Sequence, residues 1–139
     1  MKLLRIIMNI IYMDTKEIQA EDVSRVFETS GINRPYQDFD RLKRMIENSD
    51  IVITAWHEGK MIGMARAVTD YSYCCYLSDL AIDKDYQKGG IGRKLVDLVK
   101  EKMGEECSLV LLSAPGAMDY YEKLGFSKVD NAFVIKRVK

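Results

Sequence analysis

From Tyr76 to Met103 the chain reads YLSDLAIDKDYQKGGIGRKLVDLVKEKM: an apolar strand, a short polar turn, a glycine-rich loop and an amphipathic helix. No other stretch restricts the fold as much, because a strand that feeds a helix through glycines commits the chain to layers of sheet and helix. Ile91, Leu95, Leu98, Val99 and Met103 recur at helical spacing with Lys94, Asp97, Lys100 and Glu101 opposite, which predicts a helix over 91–103. Gln87, Gly90 and Gly92 form Q-x-x-G-x-G at its start. A helix N-terminus leaves about four N–H groups unpartnered and carries roughly half a positive charge. A phosphate satisfies both. Gly89, Gly90 and Gly92 let the main chain approach a bulky diphosphate, and Lys88, Arg93 and Lys94 add positive charge around the same spot. The plainer reading is that Gly89-Gly90 only turns the chain into a helix.

Two other phosphate loops are excluded. A dinucleotide fingerprint begun at Gly90 needs glycine or alanine where Leu95 stands, and no Gly-Lys-Ser/Thr of a P-loop occurs. The stretch LAIDKDYQKGGIGRKLV instead resembles the acyl-CoA pyrophosphate motif of the GNAT superfamily of N-acyltransferases. Downstream, Ala117-Met-Asp-Tyr-Tyr-Glu-Lys-Leu-Gly-Phe126 resembles that superfamily's A-x-x-x-Y-x-x-x-G-F segment. With the strands ahead of them, the two segments cover most of the chain after residue 50; the N-terminal third matches only in element order.

The resemblance implies an α/β (α+β mixed) fold. Its central, mostly antiparallel sheet is splayed between the fourth and fifth strands, flanked by about four helices. It implies acetyl-CoA as cosubstrate, with pantetheine in the splay along the main chain of Leu80, Ala81 and Ile82. It also implies a diphosphate on Gln87, Lys88, Gly89, Gly90, Ile91, Gly92 and Arg93. Adjacent strands that part leave N–H and C=O groups that need partners, and the amides of pantetheine are suitably peptide-like.

One domain over 1–139 is expected, long enough to bury about two-thirds of its unfolded surface. Lysine and arginine number 21, as do aspartate and glutamate, so no global field recruits nucleic acid or an anionic membrane. The apolar lead-in MKLLRIIMNII invites a targeting-segment reading, but Asn9 breaks the run and no small-residue cleavage site follows; it reads as the approach to a first strand. Cys74, Cys75 and Cys107 lack a C-x-x-C spacing, which favours a reducing cytoplasm over a disulfide framework or a metal site. A homodimer is compatible with all of this.

In chain order, a strand is expected within Asn9 to Ile18 and helices over Ala20 to Ser30 and from Asp38 to Asn48. Strands are expected over Ile51 to Trp56 and Met61 to Val68, joined by a turn at His57-Glu58-Gly59-Lys60, and over Cys74 to Ile82. Ser108 to Ser113 reads as a parallel strand and Ala117 to Leu124 as a helix stopped by Gly125. Phe126 to Val129 and Ala132 to Val138 read as two closing strands.

Tyr121 holds the position of the superfamily's tyrosine, the general acid that protonates the departing thiolate; it also lies on an apolar helical face and could be a core aromatic. Tyr120 reads as its structural neighbour. A primary ammonium with pKa near ~10.4 must lose a proton before attack, yet Tyr76 stands where some relatives carry a glutamate base. Asp79 is the nearest carboxylate, with strand parity opposite to Tyr76 and Ser78 unless a bulge re-aims it. The base is therefore Asp79, a water chain shared with Tyr76 or Ser78, or a group still open. Ala114 replaces a common asparagine. His57 reads as a solvated turn residue, and neither Cys74 nor Cys75 has an adjacent base to make it a nucleophile. These departures leave a non-catalytic acyl-CoA sensor as the rival to an N-acetyltransferase acting on a primary amine.

Overall fold

A computed structural model describes residues 9–139. The lead-in at 1–8, with its targeting-segment reading, lies outside the described residues. The elements are β1 (Ile10–Asp14), α1 (Ala20–Ser30), α2 (Phe39–Glu47), β2 (Ile51–His57), β3 (Lys60–Thr69), β4 (Cys74–Ile82), α3 (Ile91–Met103), β5 (Ser108–Val110) and α4 (Met118–Lys123). One-turn 3₁₀ segments lie at Lys84–Tyr86 and Pro115–Ala117. The strands form one sheet in the order β1-β2-β3-β4-β5, antiparallel except for the parallel pair β4 and β5. This is the mixed α/β arrangement expected.

Local chemistry sets the boundaries. α1 stops where Gly31 turns left-handed at φ 80° and returns its N–H to the Glu28 carbonyl. The Asp38 carboxylate starts α2 by accepting the Arg41 N–H at 3.1 Å. Between β2 and β3 the two turn residues Glu58 and Gly59 have φ of 50° and 79°, the left-handed pair that matches the twist of a two-residue hairpin.

Alternation along the strands divides the core into two layers. Ile51, Ile53, Ala65 and Leu77 face Leu95, Val96 and Val99 of α3. On the other face Val52, Met61, Met64 and Ala81 pack with Val23, Val26 and Phe27 of α1 and Leu42 and Ile46 of α2. A buried side chain of this size contributes roughly 1.5–3 kcal/mol, so α3 and the α1–α2 pair each hold the sheet from one side.

β4 and β5 pair only through Cys74↔Ser108, Cys75↔Leu109 and Tyr76↔Val110. From Leu77 to Ile82, β4 has β3 on one edge and, among the described residues, no strand on the other, which is the expected splay. A bulge lies beside it: Arg66 pairs with Asp79 but Ala67 with Leu77, so Ser78 is the extra residue. That bulge reverses the strand's parity, so Cys75 and Leu77 before it and Leu80 and Ile82 after it all face the α3 layer. Asp79 therefore turns toward the α1–α2 side.

The first strand, Ile10–Asp14, falls within the expected span Asn9 to Ile18. Three expectations need correction. The fifth strand ends at Val110 rather than Ser113. The closing strands at Phe126–Val129 and Ala132–Val138 are not formed. A strand, unlike a helix, has no hydrogen bonds of its own, and among the described residues the chain after Gly125 has no paired neighbour.

Candidate active site

The Gly-rich loop is held from below by three contacts. The Asp83 carboxylate accepts the Asp85 N–H at 2.9 Å and so starts the 3₁₀ turn, the Gln87 side-chain amide donates to the Ile82 carbonyl at 2.9 Å, and His57 Nδ1 lies 2.8 Å from the Tyr86 hydroxyl. His57 is therefore not the free turn residue expected: it braces the hairpin against the loop. Gly90 is the N-cap of α3 at φ 78°, with no atom within 4 Å of where a Cβ would project. Gly92 differs, because a Cβ there would fall 1.8 Å from the Tyr120 hydroxyl. Its lack of a side chain admits Tyr120 against the first turn of α3.

The charges around the loop are dispersed more than the sequence suggests. Lys88 is exposed beside Gly89. Arg93 donates to the Lys123 carbonyl and so ties α3 to the last turn of α4. Lys94 points away, with its ammonium 6.0 Å from the centre of the Tyr12 ring.

Leu80, Ala81 and Ile82 line the open edge of β4. In an antiparallel strand the N–H and C=O of one residue share an edge and successive residues alternate. The Asp83 N–H bonds inward to Ile62, and the Ile82 carbonyl bonds outward to Gln87. The N–H and C=O of Leu80 therefore face outward with it. Further along the same edge the Ser78 carbonyl accepts from Arg34 at 2.6 Å.

Asp79 is the centre of an ion network. Its side chain has no solvent exposure; Arg34 Nε lies 2.6 Å from one oxygen and Arg66 Nε 2.5 Å from the other. Arg66 also donates to the hydroxyls of Ser78 at 2.8 Å and Ser49 at 3.2 Å. The network fastens the α1–α2 connection, the end of α2, β3 and the β4 bulge to one another. With both oxygens engaged and no exposed surface, Asp79 offers no face to a substrate ammonium. Arg34 and Arg66 were not anticipated, although a charged residue inside the apolar run MIGMARAV was a signal for Arg66.

Tyr120 stands against Gly92 and Tyr121 against Phe126. Tyr121 packs edge-to-face on Phe126 and Tyr120, with ring centres 5.7 and 5.4 Å away. Burial raises the pKa of its phenol above the usual value; Tyr120 and Asp79 push the same way, while the Arg34 guanidinium opposes them. Two of the network's three charged groups, Arg34 and Asp79, thus act on this ring, and the phenol stays protonated at neutral pH. Tyr76 sits at the last β4–β5 pair, where the strands begin to part, and is 41% exposed.

Cys74 and Cys75 are poor nucleophiles. Burial raises the thiol pKa of both Cys74 and Cys75, and Asp70, whose carboxylate lies 3.7 Å from the Cys74 sulfur, raises Cys74 further. Among the described residues no group of three or more His, Cys, Asp or Glu could hold a metal ion, and no helix is long and apolar enough to cross a membrane.

Fold and site together define an α/β protein that aims an unpaired strand edge, a glycine-opened helix N-terminus and a protonated tyrosine at neighbouring places. The family model described as "Acetyltransferase (GNAT) domain" matches residues 15–139. The chain belongs to the GNAT acetyltransferase family, whose members are acyltransferase enzymes. It is 27% identical over 126 residues to the uncharacterized N-acetyltransferase ycf52 of Pyropia yezoensis, covering 85% of this chain and 71% of that protein. It is 24% identical to the histone acetyltransferase TAP1 of Glycine max, over 84% of this chain and 55% of that one. A crystal structure of a putative acetyltransferase from Deinococcus radiodurans superposes with TM-score 0.78 at 20% identity, covering 95% of this chain and 92% of the other. An aminoglycoside acetyltransferase from a soil metagenome, in complex with sisomicin, superposes with TM-score 0.70 at 19% identity, covering 96% and 97%.

Proposed function

We propose that the chain works as a single acetyltransferase domain that moves the acetyl group of acetyl-CoA to a primary amine by direct attack in a ternary complex. The observation that carries this reading is the edge of β4 left without a strand from Leu77 to Ile82, leading straight into the open N-terminus of α3 at Gly90. The amides of pantetheine fit the Leu80 to Ile82 main chain, and the space over Gly90 fits a diphosphate against the first-turn N–H groups. Bound there, acetyl-CoA supplies an acetyl thioester.

Each role then falls to a group of this chain. Leu80 presents an outward N–H that suits an oxyanion donor. Gln87, Lys88, Gly89, Gly90, Ile91 and Gly92 form the diphosphate cradle, and Arg93 supports it by joining α3 to α4. Tyr121 delivers the proton to the leaving thiolate, for which its raised pKa keeps it in the donor form. Water beside Tyr76 and Ser78 removes the proton from the ammonium, and Asp79 holds Arg34 and Arg66 in place instead of serving as base. The raised thiol pKa values favour direct transfer over an acyl-cysteine.

The acceptor enters from the α1–α2 side, over the loop that Arg34 pins. The relatives named for histones and for aminoglycosides both take amines, which supports an amine here without choosing between small molecule, peptide and protein. Three free cysteines suit a reducing compartment, the cytoplasm being the simplest. Zero formal charge gives neither nucleic acid nor membrane a general hold, and a second copy of the chain is its macromolecular partner.

Tyr76 and Ala114, which depart from the glutamate and asparagine that the resemblance to the superfamily implies for some members, favour a second reading as an acyl-CoA sensor without turnover. Free-thiol release from acetyl-CoA, measured against a panel of primary amines, separates the two. The enzyme releases thiol in step with acetylated amine. The sensor binds acetyl-CoA, seen as a thermal shift, and releases none.

A further inference from the structure

The ion network on the α1–α2 side carries one positive charge in excess, because Arg34 and Arg66 share the single carboxylate of Asp79. Arg66 and Asp79 are buried, whereas the Arg34 side chain keeps 26% of its surface exposed. The accessible part of the surplus charge is therefore that of Arg34. Its Nε goes to Asp79, one terminal nitrogen donates to the Asn33 carbonyl at 2.7 Å and the other to the Ser78 carbonyl at 2.6 Å. Each terminal nitrogen carries two N–H groups, so among the described residues each has one left to donate. The loop that presents them is fixed, with the Ser24 hydroxyl donating to the Tyr36 carbonyl at 2.6 Å and the Tyr36 N–H closing on the Arg34 carbonyl at 2.8 Å. Arg34 also acts on the Tyr121 phenol, which puts the cation near the group assigned to the leaving thiolate. An apolar row lies beside it on the same face of the sheet. Tyr76 pairs with Val68 on β3 and with Val110 on β5. Cys75 and Leu77 pack toward α3, so by alternation Tyr76 and its two partners lie on the α1–α2 side. Val68, Tyr76 and Val110 are 45, 41 and 47% exposed. Beyond β5 the row meets a largely apolar cavity of about 300 Å³, which Val110 lines together with Leu112, Met118, Tyr121 and Phe126.

We propose that the acceptor is a free α-amino acid with an apolar side chain, its carboxylate held by the two remaining N–H groups of Arg34 and its side chain laid on Val68, Tyr76 and Val110. The proposal rests on the acyl-transfer reading above and names the substrate class for that site. Charge complementarity selects it. A polycation would bring ammonium groups against a guanidinium, and the carboxylate in the network has both oxygens engaged. A carboxylate one carbon from the reacting amine instead meets two N–H donors in the fork geometry that guanidinium offers. Spacing agrees, since Ser78, which Arg34 holds, and Tyr76 are two residues apart on β4, roughly 7 Å. The carboxylate and the side chain of one amino acid span that from its α carbon. The row and the cavity beyond it then take apolar surface out of water. In the transfer the N–C bond forms as the C–S bond breaks, water takes the ammonium proton, and Tyr121 gives its own to the departing thiolate.

Initial rates of thiol release from acetyl-CoA test the class, with leucine, alanine, isopentylamine, spermidine and leucinamide, which stands in for a peptide N-terminus, compared at equal free-base concentration. Leucine should exceed leucinamide and isopentylamine in kcat/KM by about tenfold or more and alanine by a similar factor, with spermidine the poorest. Arg34→Gln should abolish the preference for leucine over leucinamide, chiefly through KM, and Arg34→Lys should restore part of it. Leucinamide, isopentylamine or spermidine matching leucine, or a preference that survives Arg34→Gln, overturns the proposal and leaves acyl transfer standing. Where the unfolding midpoint shows that Arg34→Gln does not fold, the wild-type ratios decide alone. If no amine releases thiol, the acyl-transfer reading fails, and calorimetric titration into wild-type protein saturated with coenzyme A decides the site. Leucine binding about tenfold tighter than leucinamide upholds it there, and equal or absent binding overturns it.

Discussion

Asp79 illustrates how a residue's chemistry follows from what surrounds it. In the sequence it is the carboxylate nearest the expected reaction centre. In the structure its two oxygens are already committed to Arg34 and Arg66, and the guanidiniums depend on it as much as it depends on them. Asp79→Asn should therefore act first on stability, by about 3–5 kcal/mol, because removing one partner leaves buried charge unpaired. Per folded molecule, kcat should change by less than about tenfold, while KM for the amine rises as the Arg34 loop loosens. Denaturant unfolding alongside initial rates separates the two; a collapse of kcat with stability and KM unchanged would instead make Asp79 the base. Tyr121 could be singled out in the sequence because its motif is local. The contact between Arg34 and Asp79 could not, since it spans 45 positions and depends on a bulge at Ser78 that no spacing announces.

At the scale of elements, the helices were the most legible part. The apolar periodicity that predicts 91–103 ends where α3 ends, and Gly31 stops α1 where expected. Strands depend on partners, and that is where the reading failed: the segment after Gly125 has strand composition but no paired neighbour among the described residues. Turns depend on single side chains. Between β3 and β4 the Asp70 carboxylate accepts the N–H groups of Ser72, Tyr73 and Cys74 at 2.9, 2.8 and 3.1 Å. These bonds, that of Ser72 foremost, lower its pKa from 3.8 to about 2. A carboxylate whose folded pKa is depressed stabilises the turn above the unfolded pKa and loses that contribution as pH falls through the folded one. Amide exchange at Ser72, Tyr73 and Cys74 should thus show extra opening that grows between about pH 4 and pH 2, and Asp70→Asn should remove that dependence. An identical acid response in the variant would assign the loss to other groups.

On the scale of the whole molecule, two helical layers clamp a sheet that is closed through β1 to β4 and parts at β5. The parting accounts for both open features at once: the cleft on the β4 side, with Leu80 to Ile82 and Gly90, and the cavity on the far side of β5. Tyr121 stands between them, lining the cavity while Arg34 and Asp79 act on its phenol. The general plan was readable because the Gly-rich loop and the Tyr121 segment are short and contiguous; the relation between cleft and cavity was not, because it rests on where β5 stops. The central claim is that this tyrosine gives the proton that completes acetyl transfer. Its most direct test is amine-dependent thiol release by Tyr121→Phe at saturating acetyl-CoA, read beside the acetyl-CoA Kd and the unfolding midpoint. The phenyl ring keeps its packing on Phe126, so kcat should fall by about 10²-fold with Kd and midpoint nearly unchanged. Normal turnover per folded molecule, with the only loss in stability, would contradict the account and leave Tyr121 a core aromatic.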